Sequence, residues 1–169
     1  MDLIDRLLEH DQWATARLLE LSRGLDDAQL DQEFDIGHRT LRETYAHMIY
    51  NVASWTGLMI GEPEVALPAN RSLPDLAAWD ARAYATFADF ARRIRDEGRF
   101  DGTFTDAFAG PMTFGGAILH VILHNEGHRN EAVHILTRLG VPGERLELDH
   151  ALWDYVRRGR YNPDAEGTA

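Results

Sequence analysis

The sequence contains no cysteine among its 169 residues. This absence excludes structural disulfides, zinc sites built from thiolates and a thiol nucleophile supplied by the chain itself. It is compatible with a reducing compartment, and we expect a cytoplasmic protein. The residues after Met1 lack the basic and apolar regions of a secretory signal, which supports the same expectation.

Basic side chains are scarce as well, because 17 Lys and Arg stand against 28 Asp and Glu and give a net charge of −11. Binding to a nucleic-acid backbone depends on clustered basic side chains. The short basic run at residues 157–160 is too small to supply them, so we expect no nucleic-acid partner. The longest uncharged apolar stretch, residues 112–123, is too short to span a bilayer, so we expect no membrane partner.

What the sequence does contain is helical periodicity, which is interrupted by glycine and proline. It predicts four long helices at about residues 3–23, 40–61, 72–98 and 113–140, and a shorter helix at about 149–158. Thr40 and Glu43 have the spacing of a capping box at the start of the second helix. Residues 99–108 alternate weakly around Asp101-Gly102, which is typical of a short hairpin or of a loop.

These elements predict an all-α protein, a four-helix bundle with long connections after the second and third helices and a short extra C-terminal helix. The sequence shows no internal repeat, low-complexity tract or interdomain linker. We therefore expect residues 1–160 to form a single domain and residues 161–169 to form a flexible tail.

One stripe of the fourth helix places polar residues where a core would be expected. Its members are spaced alternately by four and three residues: Ala117, Val121, His124, His128, Glu131 and Ile135. A buried polar group without a partner costs roughly 1–3 kcal/mol. A divalent metal would serve as a common partner, because residues four apart lie about 40° apart around a helix and both rings can reach one ion. The alternative is two core imidazoles that are each hydrogen-bonded to a neighbour.

A third ligand would come from another helix, and His47 lies beside the apolar stripe of the second helix. His120 is less suited, because it lies about 80° around the fourth helix from His128. We expect the remaining histidines to be surface or helix-end residues, namely His10, His38, His134 and His150.

The spacing argues against a zincin protease. In those enzymes a glutamate directly follows the first histidine and faces the metal-bound water. Here Glu126 is two residues after His124, about 200° around the helix, and we expect it to be a solvated charge.

Three parts of the chain resemble the DinB family, the DinB/YfiT-like metalloenzymes. Residues 10–19 are similar to the family's first helix, residues 41–48 to its second, and residues 124–129 to its His-x-x-x-His-Arg signature. The resemblance implies a four-helix bundle, commonly a homodimer, that binds a divalent metal. It implies as ligands His47, His124 and His128, with zinc or nickel as the usual ion.

Glu131 departs from the family pattern, which often continues His-Arg-Gly-Gln where this chain has His128-Arg129-Asn130-Glu131. Because Glu131 lies one turn after His128, it could act as a catalytic base on bound water. It could equally orient an imidazole, or form an ion pair with Arg129 or another cation.

The function predicted from these residues is that of a metal-dependent hydrolase or a transferase that uses a low-molecular-weight thiol, acting on a small-molecule substrate. One alternative is a non-catalytic metal-binding or stress-related bundle, and another is a helical interaction module. A closed metal shell would need a further ligand, such as Glu131, Glu43 or Asp11. An open coordination position near aromatic side chains would favour catalysis, and the candidates are Trp13, Tyr50 and Trp55.

Overall fold

The computed structural model describes residues 1–62, 65, 68, 70–106 and 110–162. Six helices and one small sheet are found among these residues. Their bounds are α1 Leu3–Leu21, α2 Asp27–Leu30, α3 Leu41–Ile60, α4 Leu73–Asp96, β1 Thr103–Asp106, β2 Gly110–Thr113, α5 Phe114–Arg138 and α6 His150–Arg157. The predicted all-α bundle with a short C-terminal helix is confirmed.

The four long helices begin where the sequence provides a capping side chain. Asp2, Thr40, Ser72 and Thr113 each accept a hydrogen bond from the backbone N–H three residues later. Such a bond satisfies one of the unpaired donors of the first turn and contributes about 0.5–2 kcal/mol. α3 ends at Gly61, whose φ of 83° lies in the left-handed region that glycine adopts freely.

The packing of the long helices brings α3 and α5 side by side. α1 and α3 each pack against both α4 and α5, so the order around the bundle is α1, α4, α3, α5. Two apolar clusters fill the interior, and α5 contributes to both: Val121 belongs to one and Ala132 to the other. The histidines at positions 124 and 128 therefore lie between two apolar clusters and face α3.

A short antiparallel hairpin joins α4 to α5, with Thr103 opposite Thr113. The sequence left residues 99–108 open as a short hairpin or a loop, and the structure shows a hairpin whose strands begin after Asp101-Gly102. Gly102 belongs to a turn between α4 and β1, in which its N–H donates to the Arg99 carbonyl at 2.9 Å. Asp101-Gly102 thus precedes the first strand, and the second strand, Gly110–Thr113, lies beyond the segment in which the alternation was noted.

The short helix α2 was not predicted, because four residues are too few to show a hydrophobic period. The single domain over residues 1–160 stays a prediction. Pro63 and most of the expected tail, residues 163–169, lie outside the described residues. Among the residues that the structure describes, none of the helices combines the length and the apolar character that a membrane span requires.

Candidate metal centre

Three imidazoles from α3 and α5 converge at the boundary between the two helices. His124 Nε2 lies 3.0 Å from His47 Nε2 and 3.1 Å from His128 Nε2. The ring centroids of His47 and His128 are 4.6 Å apart. All three side chains are half-buried. The structure therefore brings together the three histidines that the sequence selected.

These distances are difficult to explain by hydrogen bonds alone. An imidazole nitrogen carries either one proton or one lone pair in the ring plane, so His124 Nε2 can satisfy only one of its two neighbours. A shared cation can accept the lone pairs of all three nitrogens at once. Metal–nitrogen bonds of about 2.0–2.1 Å at angles near 95–110° place neighbouring nitrogens roughly 3.0–3.4 Å apart. The separations from His124 Nε2 fit that geometry, so these residues could hold a metal ion.

Glu131 contacts the opposite nitrogen of one of these rings. Its Oε2 lies 2.7 Å from His128 Nδ1, within the same helix. A carboxylate accepts the Nδ1 proton, which leaves Nε2 with its lone pair directed at His124. Arg129, which the sequence offered as an alternative partner for Glu131, instead contacts Asp11 and Glu126.

A fourth histidine, His38, also lies at this site. The sequence predicted a surface or helix-end residue, but the loop before α3 folds back and stacks the His38 ring on His47 with a centroid distance of 3.9 Å. His38 is 5.0 Å from His128 by the same measure. One ring nitrogen each from His38, His47 and His128 lies within 4.8 Å of the others.

Two overlapping sets of three imidazoles can thus be drawn, one with His124 and one with His38. We favour the set with His124, because the two nitrogen pairs that include His124 Nε2 are already at the spacing of ligands to one ion. His38 is close enough to His47 and His128 to share a ligand position with them.

The loop that carries His38 is shaped by two residues with positive φ. Gly37 has a φ of 49° and Arg39 a φ of 71°, and the Phe34 N–H closes the turn on the Arg39 carbonyl at 2.7 Å. A Cβ atom on Gly37 would lie 2.0 Å from Glu131 Oε2. Only glycine therefore allows the loop backbone to approach this carboxylate. The glycine before His38 was the one available sequence signal for this contact.

The electrostatic environment favours the neutral form of three of the rings. Burial, together with the neighbouring histidines, lowers the pKa of His47 to about 4. Burial also lowers the pKa of His38 and of His124, and the nearby His128 acts in the same direction on both. A neutral imidazole is the form that binds metals. His38, His47 and His124 are therefore shifted toward the form that binds a metal.

The histidine cluster can be reached from solvent through a small cavity. A cavity of 180 Å³ beside it is lined by His38, Glu43, Ala46, His47, Tyr50 and Arg71. Glu43 is held by Arg71 at 2.5 Å.

Only part of the expected aromatic lining is found there. Tyr50 lines the cavity, whereas Trp55 packs on His120 and Trp13 lies near His10. His120 in turn stacks on His124 with centroids 5.3 Å apart. Trp55 therefore supports the cluster through His120, and Trp13 belongs to another part of the bundle.

The arginine after His128 holds α5 in the bundle. Arg129 is buried and forms a short ion pair with Asp11 of α1, while the Tyr84 hydroxyl of α4 donates to the same carboxylate at 2.7 Å. Burial raises the pKa of Asp11, and Arg129 and the Tyr84 hydrogen bond oppose that change. Asp11 is thus fully engaged and does not reach the histidines. Glu126 is half-exposed, as expected, and pairs with Arg129 at 2.7 Å.

Comparison with known proteins identifies similar chains. The family model described as the DinB superfamily matches residues 10–132, which include all four clustered histidines and Glu131. Among solved structures, a DinB-like protein from Bacillus cereus ATCC 10987 is similar with a TM-score of 0.58 and 23% identity, over 80% of this chain and 91% of that chain. At this identity the likeness concerns the fold. No curated protein sequence matches the chain.

Proposed function

Because this chain belongs to the DinB superfamily, we propose that its clustered imidazoles bind one divalent cation, zinc or nickel, and that the site catalyses a reaction of a small molecule. The ligands in this proposal are Nε2 of His47, His124 and His128. The observation that carries it is the pair of nitrogen separations, 3.0 and 3.1 Å, around His124 Nε2. Three imidazoles leave a coordination position for a further group.

The proposed chemistry is nucleophilic attack by water or by a small thiol. A divalent cation lowers the pKa of a coordinated water or thiol and so supplies a nucleophile near neutral pH. Because the chain has no cysteine, a thiol would have to enter as a separate molecule. The two reactions are hydrolysis and transfer to a low-molecular-weight thiol. Tyr50 and Arg71 line the adjoining cavity, and in this proposal they would contact the substrate.

Glu131 fits the role of a positioning residue better than that of a base. Its Oε2 is occupied by the Nδ1 proton of His128, on the side of the ring away from His124. It would therefore act through His128 by fixing the ring orientation and increasing the basicity of Nε2.

The position of His38 favours a second candidate function, a non-catalytic metal site. If His38 supplied a fourth nitrogen, the shell of a tetrahedral ion would be complete and the ion would only fix the bundle. Replacement of His38 by alanine separates the two functions. In an enzyme with three ligands the variant keeps its metal and its turnover, whereas in a structural site it loses a ligand and binds the metal more weakly.

The test begins with protein stripped by a chelator and reloaded with zinc or nickel. Binding is followed by titration, and the loaded protein is then assayed with simple esters, with amides and with electrophiles in the presence of small thiols. His128→Ala is the diagnostic variant, and His134→Ala, an exposed histidine on the same helix, is its matched control. Binding that is equally tight in both variants would contradict the proposed site. Sedimentation of the same samples tests the homodimer that the family resemblance implies.

A further inference from the structure

A larger cavity, of 640 Å³, lies between α1 and α4 and is covered by the segment around α2. Its lining includes no histidine, and it lies on helices other than those that carry the imidazoles. Small and apolar side chains form most of its wall, among them Ala16, Leu19, Leu30, Leu73 and Ala77. Its volume falls in the range of about 300–1,000 Å³ that is usual for small-molecule sites.

One carboxyl group in this apolar wall is unusual. Asp80 lies at a core position of α4, one turn from Leu76 and one turn from Tyr84, which are 0% and 1% exposed. Asp80 itself is only 4% exposed and lines the cavity. No hydrogen bond acts on the Asp80 carboxyl within the part of the chain that the structure describes. Its oxygens keep some contact with the cavity, because no fully enclosed polar atom of those residues lacks a partner. A buried carboxyl of this kind is rare unless it has a partner.

The other charged groups of the cavity wall are paired with groups of opposite sign. Arg23 contacts Glu20 at 2.9 Å. Asp27 contacts Arg42 at 2.6 Å.

The buried cation that acts on Asp80, Arg129, is also engaged elsewhere. Arg129 is held by Asp11 and by Glu126. Burial, followed by the nearby Asp11, raises the pKa of Asp80 to about 7. Asp80 is therefore a buried acid without a counter-ion, placed at the wall of an apolar space.

We propose that this cavity binds an organic ammonium compound with an apolar body, and that its ammonium group donates a hydrogen bond to the Asp80 carboxylate. The apolar part would fill the space between α1 and α4. The cation would stabilise the ionised form of Asp80, which burial otherwise disfavours, because a buried charge is stable only when it is paired. A neutral ligand of the same shape would not provide this stabilisation.

The test uses three probes with the same six-carbon chain: n-hexylamine, n-hexanol and hexanoate. At about pH 7.5 the amine is protonated, because alkyl ammonium groups lose their proton near pH 10. Each probe is titrated into the ¹⁵N-labelled full chain, and amide chemical shifts are followed. We expect saturable shifts confined to α1, α2 and the first half of α4 with hexylamine, at least tenfold weaker binding of hexanol, and no binding of hexanoate.

Two variants locate the site. Asp80→Asn should lower the affinity for hexylamine at least tenfold, to a value no higher than that for hexanol. Asp89→Asn, at an exposed position of α4, should leave the affinity for hexylamine unchanged. Ala77→Phe fills the cavity and should abolish binding of both probes. His128→Ala should have no effect, which separates this site from the metal centre.

Equal affinities for hexylamine and hexanol would overturn the proposal. So would shifts centred on α3 and α5, or an Asp80→Asn variant that binds hexylamine as well as the parent. A change of oligomeric state in Ala77→Phe, with no hexylamine binding in the parent, would show that the cavity belongs to an interface between copies and would also overturn it.

Discussion

Glu131 Oε2 lies 2.7 Å from Nδ1 of His128, less than one turn back on α5. The same oxygen faces Gly37, where a Cβ atom would come within 2.0 Å of it. One carboxylate therefore joins a metal-site histidine to the loop that carries His38. The orientation of the His128 ring and the position of this loop depend on the same side chain.

Removal of this carboxylate should weaken metal binding without removing a ligand. We expect Glu131→Ala to lower zinc affinity about 10–100-fold, which is the usual effect of losing a group that orients a ligating histidine. The affinity is measured by competition with a chromogenic chelator. Glu126→Ala, at a half-exposed position on the same helix, is the matched control and should bind zinc like the parent. Equal affinities for both variants would show that Glu131 does not orient the ring.

Substitution of Gly37, in the loop that carries His38, should also weaken the site. Gly37→Ala adds a methyl group that overlaps the Glu131 carboxylate, so we expect it to destabilise the protein and to weaken zinc binding. Gly61→Ala is the control, because Gly61 also has a positive φ but has open space around its Cβ position. In urea unfolding, the free energy of unfolding should fall by about 1–3 kcal/mol more in Gly37→Ala than in Gly61→Ala. Equal losses would mean that the loop does not press against Glu131.

The long helices and two of the clustered histidines, His124 and His128, could be predicted from the sequence because helical geometry determines both. The spacing of apolar residues locates the helices, and residues 124 and 128 share a face wherever α5 packs. His47 required the family resemblance, since spacing alone only places it at the edge of an apolar face.

His38 and Asp80 could not be predicted in the same way. His38 reaches the site through a loop with two residues of positive φ, and no hydrophobic period reports on loop conformation. Asp80 lies on a predicted helix, but its isolation depends on which cations are already paired in the folded chain. Such pairing is a property of tertiary packing, which one sequence does not reveal.

The stability of the metal-free protein should fall as the pH falls from about 6.5 to 4. The pKa of His47 is about 4 in the folded chain and 6.5 as its ordinary value, so the unfolded chain binds more protons in this window. After allowance for the partial exposure of the ring, the loss from His47 is about 1–2 kcal/mol. Urea unfolding of the parent and of His47→Gln at several pH values measures it. A variant with the same pH dependence as the parent would contradict the lowered pKa.

The buried ion pair beneath the site should be important for folding. Arg129→Leu leaves the Asp11 charge buried without a cation, and we expect a loss of about 3–5 kcal/mol in the free energy of unfolding. Arg138, at the end of the same helix, forms an exposed ion pair with Asp35 of the loop before α3. Arg138→Leu removes this pair and should lower the free energy of unfolding by at most about 1 kcal/mol. The two variants are compared by urea unfolding of the metal-free chain. Similar losses would show that the buried pair has no special role.

Anomalous diffraction at the zinc edge from crystals of the zinc-loaded protein would locate the bound ion itself. We expect one strong peak within about 2.0–2.1 Å of Nε2 of His47, His124 and His128. A peak bound only to surface carboxylates, or intact imidazoles with no anomalous density between them in zinc-saturated crystals, would contradict the proposed metal site.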